Sequence, residues 1–159
     1  MAAPQKQDES RIKLIQRNKK AWFNYEIVEK FEAGLVLKGS EVKSIRDSKV
    51  SIPEAYIRPS GGELWVVGMD IATYPQAGPY NNHEPRRPRK LLLHKQEIRK
   101  LLGKSQEKGL TIVPLALYFK DGRAKLEIGL AQGKKQHDKR ATMKKREADR
   151  EMRRGTMRR

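Results

Sequence analysis

The sequence predicts a mainly β fold with inserted α-helices, followed by a basic tail. Ala124, Leu126 and Ile128 alternate with polar residues, which is the period of a strand with one buried face. The preceding stretch, 110–119, is apolar on both faces, and Asp121-Gly122 supplies a turn that joins the two strands as a hairpin. By contrast, residues 133–159 contain no Val, Ile, Leu, Phe, Tyr or Trp. A β domain followed by a segment without a core is therefore expected.

Two further strand regions precede this hairpin. Residues 55–58 and 64–69 flank Pro-Ser-Gly-Gly at 59–62, which predicts a second hairpin, and residues 25–38 read as one long or bulged strand. Pro114 indicates a bulge or an edge position, because proline cannot donate to a strand ladder. Trp65, within the second hairpin, is expected to lie in the core.

Two helices interrupt the strands. Ser40 is a good N-cap for a first helix that buries Val42 and Ile45. A second helix is predicted over 92–102, ending at Gly103. Short antiparallel strands with inserted helices favour an OB-like antiparallel β-barrel. The predicted organisation is a flexible N-terminus (1–12), a barrel (13–132) and a basic tail (133–159).

The charge of the chain favours nucleic acid as a partner. The 159 residues carry 36 Lys and Arg against 19 Asp and Glu, a net charge of +17, and such an excess attracts polyanions. An anionic membrane surface ranks well behind, since no stretch approaches the roughly 20 apolar residues of a membrane span. The absence of cysteine excludes disulfides and thiolate chemistry. The N-terminal residues lack the apolar core of a signal peptide, so a cytoplasmic location is expected.

The tail combines disorder with latent helicity. Without large apolar residues it cannot offset its ordering entropy, which predicts disorder in the free protein. Yet it contains no proline, and Glu147 with Arg150 and Asp149 with Arg153 have helical spacing. Two readings stay open: a helix that forms on an anionic partner, and a permanently disordered basic tail.

Catalytic chemistry has little support in the sequence. His83-Glu84 and His137-Asp138 are adjacent pairs that share no face of a strand or helix, and no zinc spacing, phosphate loop or nucleophile elbow is present. The carboxylates of Glu32, Glu41 and Glu127 fit solvated or ion-paired surfaces better than an acid–base pair. The protein is expected to be no enzyme and to need no metal or cofactor; a nuclease is the weakest alternative.

RNA binding has more support. Arg17, Lys19 and Lys20 lead into Trp22, Phe23 and Tyr25, which offers cations for phosphates beside rings for unpaired bases. For Phe23 and Tyr25, packing in the core is an equal alternative. Glu32 cannot bind phosphate, but it can accept hydrogen bonds from base edges or a 2′-hydroxyl. The segment 86–90 adds four positive charges, which can serve RNA or only solvate a connecting loop.

Five motifs together resemble one family. They are NKKA (18–21), FEAGL (31–35), GSEVKS (39–44), RKLLL (89–93) and GKKQHDKR (133–140). Their order is that of the SsrA-binding protein family, and the resemblance runs from residue 13 to residue 146.

The resemblance implies a bacterial protein of trans-translation, the rescue of stalled ribosomes. Its OB-like barrel would bind the tRNA-like domain of transfer-messenger RNA (tmRNA), and its tail would enter the empty mRNA channel beside the decoding centre of the small subunit. Elongation factor Tu with GTP and alanyl-tRNA synthetase would be indirect partners, and a monomer is expected. The alternative is a generic OB-fold protein that binds single-stranded RNA or the ribosome.

The resemblance and the basic segments together give two sets of candidate residues. The RNA-binding set is Asn18, Lys19, Lys20, Glu32, Lys90, Leu92, His94, Lys125 and Lys134. The ribosome-interacting set in the tail is His137, Asp138, Lys139, Arg140, Lys144, Lys145, Arg146 and Met152.

Overall fold

Antiparallel β-structure dominates the part of the chain that the structure, a computed structural model, describes: residues 11–107, 109–134 and 143–150. The strands are β1 (Ile12–Arg17), β2 (Tyr25–Leu35), β3 (Val50–Ser51), β4 (Tyr56–Ser60), β5 (Glu63–Val67), β6 (Asp70–Ile71), β7 (Arg89–Leu92), β8 (Leu110–Lys120) and β9 (Arg123–Gly133). The helices are α1 (Lys19–Asn24), α2 (Gly39–Arg46), α3 (Lys95–Ser105) and α4 (143–150), with a 3₁₀ turn at Pro75–Ala77.

The main sheet curls on itself. Its strand order is β1-β8-β9-β2-β7-β5-β4, and every pairing is antiparallel. β4, at one edge, lies against β8, next to the other edge, so the strands enclose a common interior. β3 and β6 form a small separate ladder. The prediction of a mainly β fold with inserted helices is confirmed.

The interior is filled from the inward faces of these strands and from two helices. Every second residue of β5 is buried there, as are Leu126, Ile128 and Leu130 of β9, because neighbouring side chains of a strand point to opposite faces. Helix α2 contributes Ile45 and helix α3 contributes Leu101, both without solvent exposure. On the outward side, Val113, Leu115 and Ala131 are buried beside α1, whereas Glu32 and Leu92 are exposed.

The β8–β9 hairpin is confirmed, with the predicted turn and bulge. Asp121 and Gly122 both have positive φ, 51° and 79°, as a type I′ turn requires. The register shifts between Pro114 and Ala116, so the bulge lies at Pro114. In the other hairpin, Gly61 and Gly62 form the turn, while Pro59 already pairs with Leu64 inside the ladder.

Several local predictions are wrong in detail. The N-cap of α2 is Lys38, and Ser40 is buried inside the helix instead of capping it. Residue Leu92 ends β7 rather than starting α3, and Gly103 lies within α3, where packing outweighs its low helix propensity. The long strand predicted over 25–38 ends earlier, at Leu35, although the predicted bulge is present as a register shift between residues 27 and 29. Helix α1 was not predicted.

Candidate nucleic-acid interface

Asn18 anchors α1 to the bulge of β8. Its backbone N–H donates to Leu115 O at 2.8 Å, and its side-chain Nδ2 donates to Pro114 O at 2.8 Å. Its Oδ1 accepts from Ala21 N at 3.2 Å, which caps the helix. With 2% exposure, Asn18 is an interior residue. Its role in the structure is therefore positional: it holds the start of α1, where Lys19 and Lys20 are exposed.

Glu32 lies on the outer face of the sheet, opposite Glu127 on the neighbouring strand. The Tyr118 hydroxyl donates a short hydrogen bond to Glu32 Oε2, and Lys120 Nζ lies 3.6 Å from Glu32 Oε1. Burial, the bond to Glu32 and the charges of Glu32 and Glu127 all raise the pKa of Tyr118 above its ordinary value. The hydroxyl therefore stays protonated and orients Glu32, whose side chain keeps 39% exposure and free acceptor capacity.

A groove of about 1100 Å³ passes over this pair. Its walls come from β1, β8, β9, β2, α1 and α4, and its charges are mixed but mainly positive. The charged lining residues are Arg17, Lys19, Lys30, Glu32, Lys120, Glu127, Arg146, Asp149 and Arg150. Lys30 Nζ lies 4.9 Å from the centre of the Trp22 ring, a cation–π distance. The groove thus offers cations for phosphates, an aromatic ring and one oriented carboxylate.

Leu92 and Lys125 belong to the same outer face. Gly34 pairs with Leu92 on β7 and with Lys125 on β9, so the three form one row across three strands. Leu92 is 52% exposed, and the glycine between it and Lys125 leaves the row without a central side chain. Sheet pairing therefore unites two candidates that lie far apart in the sequence.

The remaining predicted barrel residues lie around the rim. His94 is exposed and caps α3, with its N–H bonded to Glu97 Oε1 at 3.2 Å. Lys90 faces outward from β7, where Glu63 Oε1 lies 3.8 Å from its Nζ. Lys134 Nζ donates to Trp22 O at 3.2 Å, which ties the end of β9 to α1.

The chain matches the family model of the SmpB protein over residues 15–158. It belongs to the SmpB family. It is 56% identical over 140 residues to the SsrA-binding protein of Carboxydothermus hydrogenoformans, covering 88% of this chain and 93% of the relative. It is 52% identical over 154 residues to the SsrA-binding protein of Rhodopirellula baltica, covering 96% of this chain and 87% of the relative.

A solved structure described as "tmRNA-SmpB: a journey to the center of the bacterial ribosome" has a similar fold. The TM-score is 0.63 at 52% sequence identity, and the match covers 76% of this chain and 85% of that one. The structural similarity to a solved SmpB structure therefore agrees with the match to the SmpB family model.

Two arginines of the basic segment 86–90, Arg87 and Arg89, bind a buried carboxylate in this SmpB-family chain. Arg89, with 0% exposure, donates from Nε to Glu41 Oε2 at 2.5 Å and from its terminal nitrogens to Met69 O and Pro85 O. Arg87 donates to the other oxygen of Glu41. Burial alone raises the pKa of Glu41, but the hydrogen bonds from Arg87, the Lys38 N–H and Arg89 outweigh it and hold that pKa below its ordinary value. Two of the four positive side chains of this segment, Arg87 and Arg89, are therefore paired with the buried carboxylate of Glu41.

His83 and the aromatic residues of the sequence analysis differ in their burial. His83 is buried, with Nδ1 at 2.8 Å from Ser40 Oγ and Nε2 at 2.9 Å from Ile71 O. Tyr25 packs, partly buried, against the small cluster beside α1. Phe23 is half-buried, and Arg146 of α4 lies 5.8 Å from its ring. Trp65 is also half-buried and belongs to the outward face of β5, so it is not the core residue that was expected.

The tail is described only in part. Lys144, Lys145 and Arg146 lie in α4 and are exposed. The predictions on His137, Asp138, Lys139, Arg140 and Met152 lie outside the described residues. Helix α4 coincides with the segment whose spacing indicated helicity; whether the tail orders on a ribosome stays a prediction.

Sequence reasoning missed Tyr118, Lys120 and Lys30 as parts of the groove. The run 110–119 reads as a fully buried strand, and nothing in it distinguishes Tyr118 from its buried neighbours. Only the pairing of β9 with both β8 and β2 brings its hydroxyl to Glu32.

The described ranges contain no group of three or more His, Asp or Glu residues that could hold a metal ion. Among their helices, none is long and apolar enough to cross a membrane.

Proposed function

We propose that this protein binds the tRNA-like domain of tmRNA and delivers it to stalled ribosomes in trans-translation. The observation that carries this proposal is the groove over Glu32, in a chain of the SmpB family. Relatives at more than half identity are named SsrA-binding proteins, and the similar solved structure is described as tmRNA–SmpB with the bacterial ribosome.

The groove suits a folded RNA better than a bare polyanion. Lys19, Lys30 and Arg17 can neutralise phosphates, which gives affinity without selectivity. The negative charge of Glu32 repels phosphate groups. Its carboxylate, oriented by the hydrogen bond from Tyr118, can instead accept a hydrogen bond from a base edge or a 2′-hydroxyl of the RNA. Leu92 and Lys125 extend the surface across the β7–β2–β9 row.

The tail has a separate role in this proposal. Its net charge of +8 over 133–159 suits a channel walled by ribosomal RNA. His137, Asp138, Lys139 and Arg140 would act at the decoding centre, while Lys144, Lys145, Arg146 and Met152 would line the path into the mRNA channel. The helical spacing that α4 realises supports this arrangement.

The partners, and not this protein, carry out the chemical reactions of the pathway in this proposal. In this cytoplasmic pathway alanyl-tRNA synthetase charges the RNA, elongation factor Tu hydrolyses GTP and the ribosome transfers the peptide. The protein itself acts as a monomer that supplies shape and charge. No catalytic group of its own is required.

The test is binding of the full-length protein to the tRNA-like domain, to ordinary transfer RNA and to unstructured RNA of equal length, across a salt series. Phosphate contacts weaken with salt for all three RNAs, whereas contacts to shape and base edges do not. A strong preference for the tRNA-like domain that persists as salt weakens the phosphate contribution supports the proposal. Equal affinities that fall together would leave a generic single-stranded RNA-binding protein, and cleavage of labelled RNA with magnesium would indicate a nuclease.

A further inference from the structure

We propose that Trp65, between Arg58 and Lys90 on the outer face of β4, β5 and β7, is a stacking site for an unpaired nucleobase of RNA. The inference rests on the proposed function and adds a second contact region to it. It assigns a ligand to a row of residues outside the Glu32 groove.

The row follows from the strand register. Trp65 on β5 pairs directly with Arg58 on β4 and with Lys90 on β7. Directly paired side chains of an antiparallel ladder lie on the same face, about 5 Å apart at Cβ. An indole ring is therefore flanked on both sides by a cation.

Alternating burial shows that this face is the outer one. Leu64 and Val66, on either side of Trp65, have no exposure, and Ile57 beside Arg58 is buried. Arg89 and Leu91, on either side of Lys90, are also fully buried. The row itself therefore points to solvent.

Both cations are available for phosphate. Arg58 is exposed, and its guanidinium has no ion pair or hydrogen bond within the described residues. Lys90 has only a long contact of 3.8 Å with the half-exposed Glu63. Surface pairs of this kind contribute little, so an incoming phosphate displaces Glu63 at small cost.

The ring is held in place but not covered. Trp65 Nε1 donates to Ser60 O at 3.3 Å, which fixes the indole at the end of the hairpin. Trp22 already has the ammonium of Lys30 over its ring, whereas no cation of the described chain lies over Trp65. A held aromatic ring flanked by cations is the arrangement that binds single-stranded bases without sequence preference.

The row is continuous with the proposed RNA surface. Leu92 lies two residues beyond Lys90 on the same face of β7, and it opens the row that leads through Gly34 to Lys125. One RNA molecule can therefore contact both the Trp65 row and the Glu32 groove, with an unpaired base at Trp65 and its folded tRNA-like domain at Glu32.

Fluorescence of single-tryptophan variants tests this assignment, because the chain contains only two tryptophans. Trp22→Phe reports on Trp65, and Trp65→Phe reports on Trp22 as the matched control. Each is titrated with the tRNA-like domain and with a short oligouridylate, while the anisotropy of labelled RNA measures binding independently. We expect Trp65 emission to fall on saturation with at least one probe. If Trp65 emission falls with the tRNA-like domain, tmRNA supplies the stacked base. If it falls with oligouridylate alone, another RNA strand, such as ribosomal RNA, supplies the base.

Affinity variants give a second measure. Trp65→Leu should weaken binding of the responding probe about tenfold, the size of one stacked base. Arg58→Ala should reduce the magnitude of the slope of log affinity against log salt by about 0.7, the value for one phosphate contact to a single strand. Arg99→Ala, an equal charge change at an exposed position on α3, should leave the Trp65 response intact.

Two failures are distinguishable. Unchanged Trp65 emission with both RNAs bound, together with full affinity of Arg58→Ala, would overturn the stacking site and leave the proposed function standing. If anisotropy shows no preference for the tRNA-like domain, the proposed function fails, and the response to oligouridylate still decides whether Trp65 stacks.

Discussion

Replacing Glu41 by glutamine should lower the free energy of unfolding far more than breaking an exposed ion pair does. The Glu41 carboxylate accepts from Arg89 Nε at 2.5 Å, from Arg87 Nε at 3.1 Å and from the Lys38 N–H at 2.8 Å. Neither Glu41 nor Arg89 has any side-chain exposure. The neutral amide leaves Arg89 as a buried charge without its counter-ion, for which removal of one partner costs about 3 to 5 kcal/mol.

Urea unfolding followed by circular dichroism measures the loss. At a slope of about 1.5 kcal/mol per M, a cost of 3 to 5 kcal/mol lowers the midpoint by about 2 to 3 M. Glu54→Gln is the matched control, since Glu54 pairs with Lys20 at 3.0 Å but its side chain is 74% exposed. Pairs of that kind contribute about 0 to 1 kcal/mol. Equal midpoints for the two variants would refute a stabilising role for the buried pair.

The same pair predicts a pH dependence. The pKa of Glu41 lies lower in the folded chain than its ordinary value of 4.5. Its contribution to the free energy of unfolding is therefore complete above that value and is lost as the pH falls toward the folded-state pKa. The stability gap between wild type and Glu41→Gln should therefore be constant above pH 4.5 and narrow as the pH falls below that value toward the folded-state pKa. A constant gap across this range would contradict the assignment.

Three other perturbations separate binding from folding. Glu32→Ala should weaken binding to the tRNA-like domain more than binding to unstructured RNA, since it removes a selective acceptor; equal losses in anisotropy titrations would exclude that role. Deletion of 133–159 should largely spare affinity for the tRNA-like domain but abolish peptide tagging on stalled ribosomes, and a truncated protein that still supports tagging would count against the tail proposal. Asn18→Ala should lower the free energy of unfolding by about 2 kcal/mol, from the lost cap and the unpaired Pro114 carbonyl; the exposed Asn81→Ala is the control, and equal urea midpoints would show that Asn18 does not anchor α1.

Local sequence patterns were sufficient to locate elements whose backbone conformation depends directly on residue type. The alternation of 124–130 and the Asp121-Gly122 turn located the β8–β9 hairpin, because period-two burial and positive φ are read directly from residue types. Pro114 located the bulge for the same reason. The motifs also supplied the family, which the comparisons confirm.

Helix boundaries were less predictable. Ser40 has the chemistry of an N-cap, but its hydroxyl is bonded to the buried His83, and the helix begins before it. Likewise α1 is short, and the carbonyl of Pro114 that helps to hold its cap comes from a distant strand. Such elements depend on tertiary contacts more than on propensity.

The alternation of apolar residues and the turn residues thus determined the class of fold, and the order of the motifs determined the family, while the charge only favoured a polyanionic partner. The tertiary structure alone decided which charges face solvent. Arg89 and Lys90 are neighbours in one basic run, yet one is fully buried against Glu41 and the other lies on the outer face beside Trp65. The reason is that successive residues of a strand point to opposite faces, and only the pairing of strands distant in sequence determines which face becomes the interior.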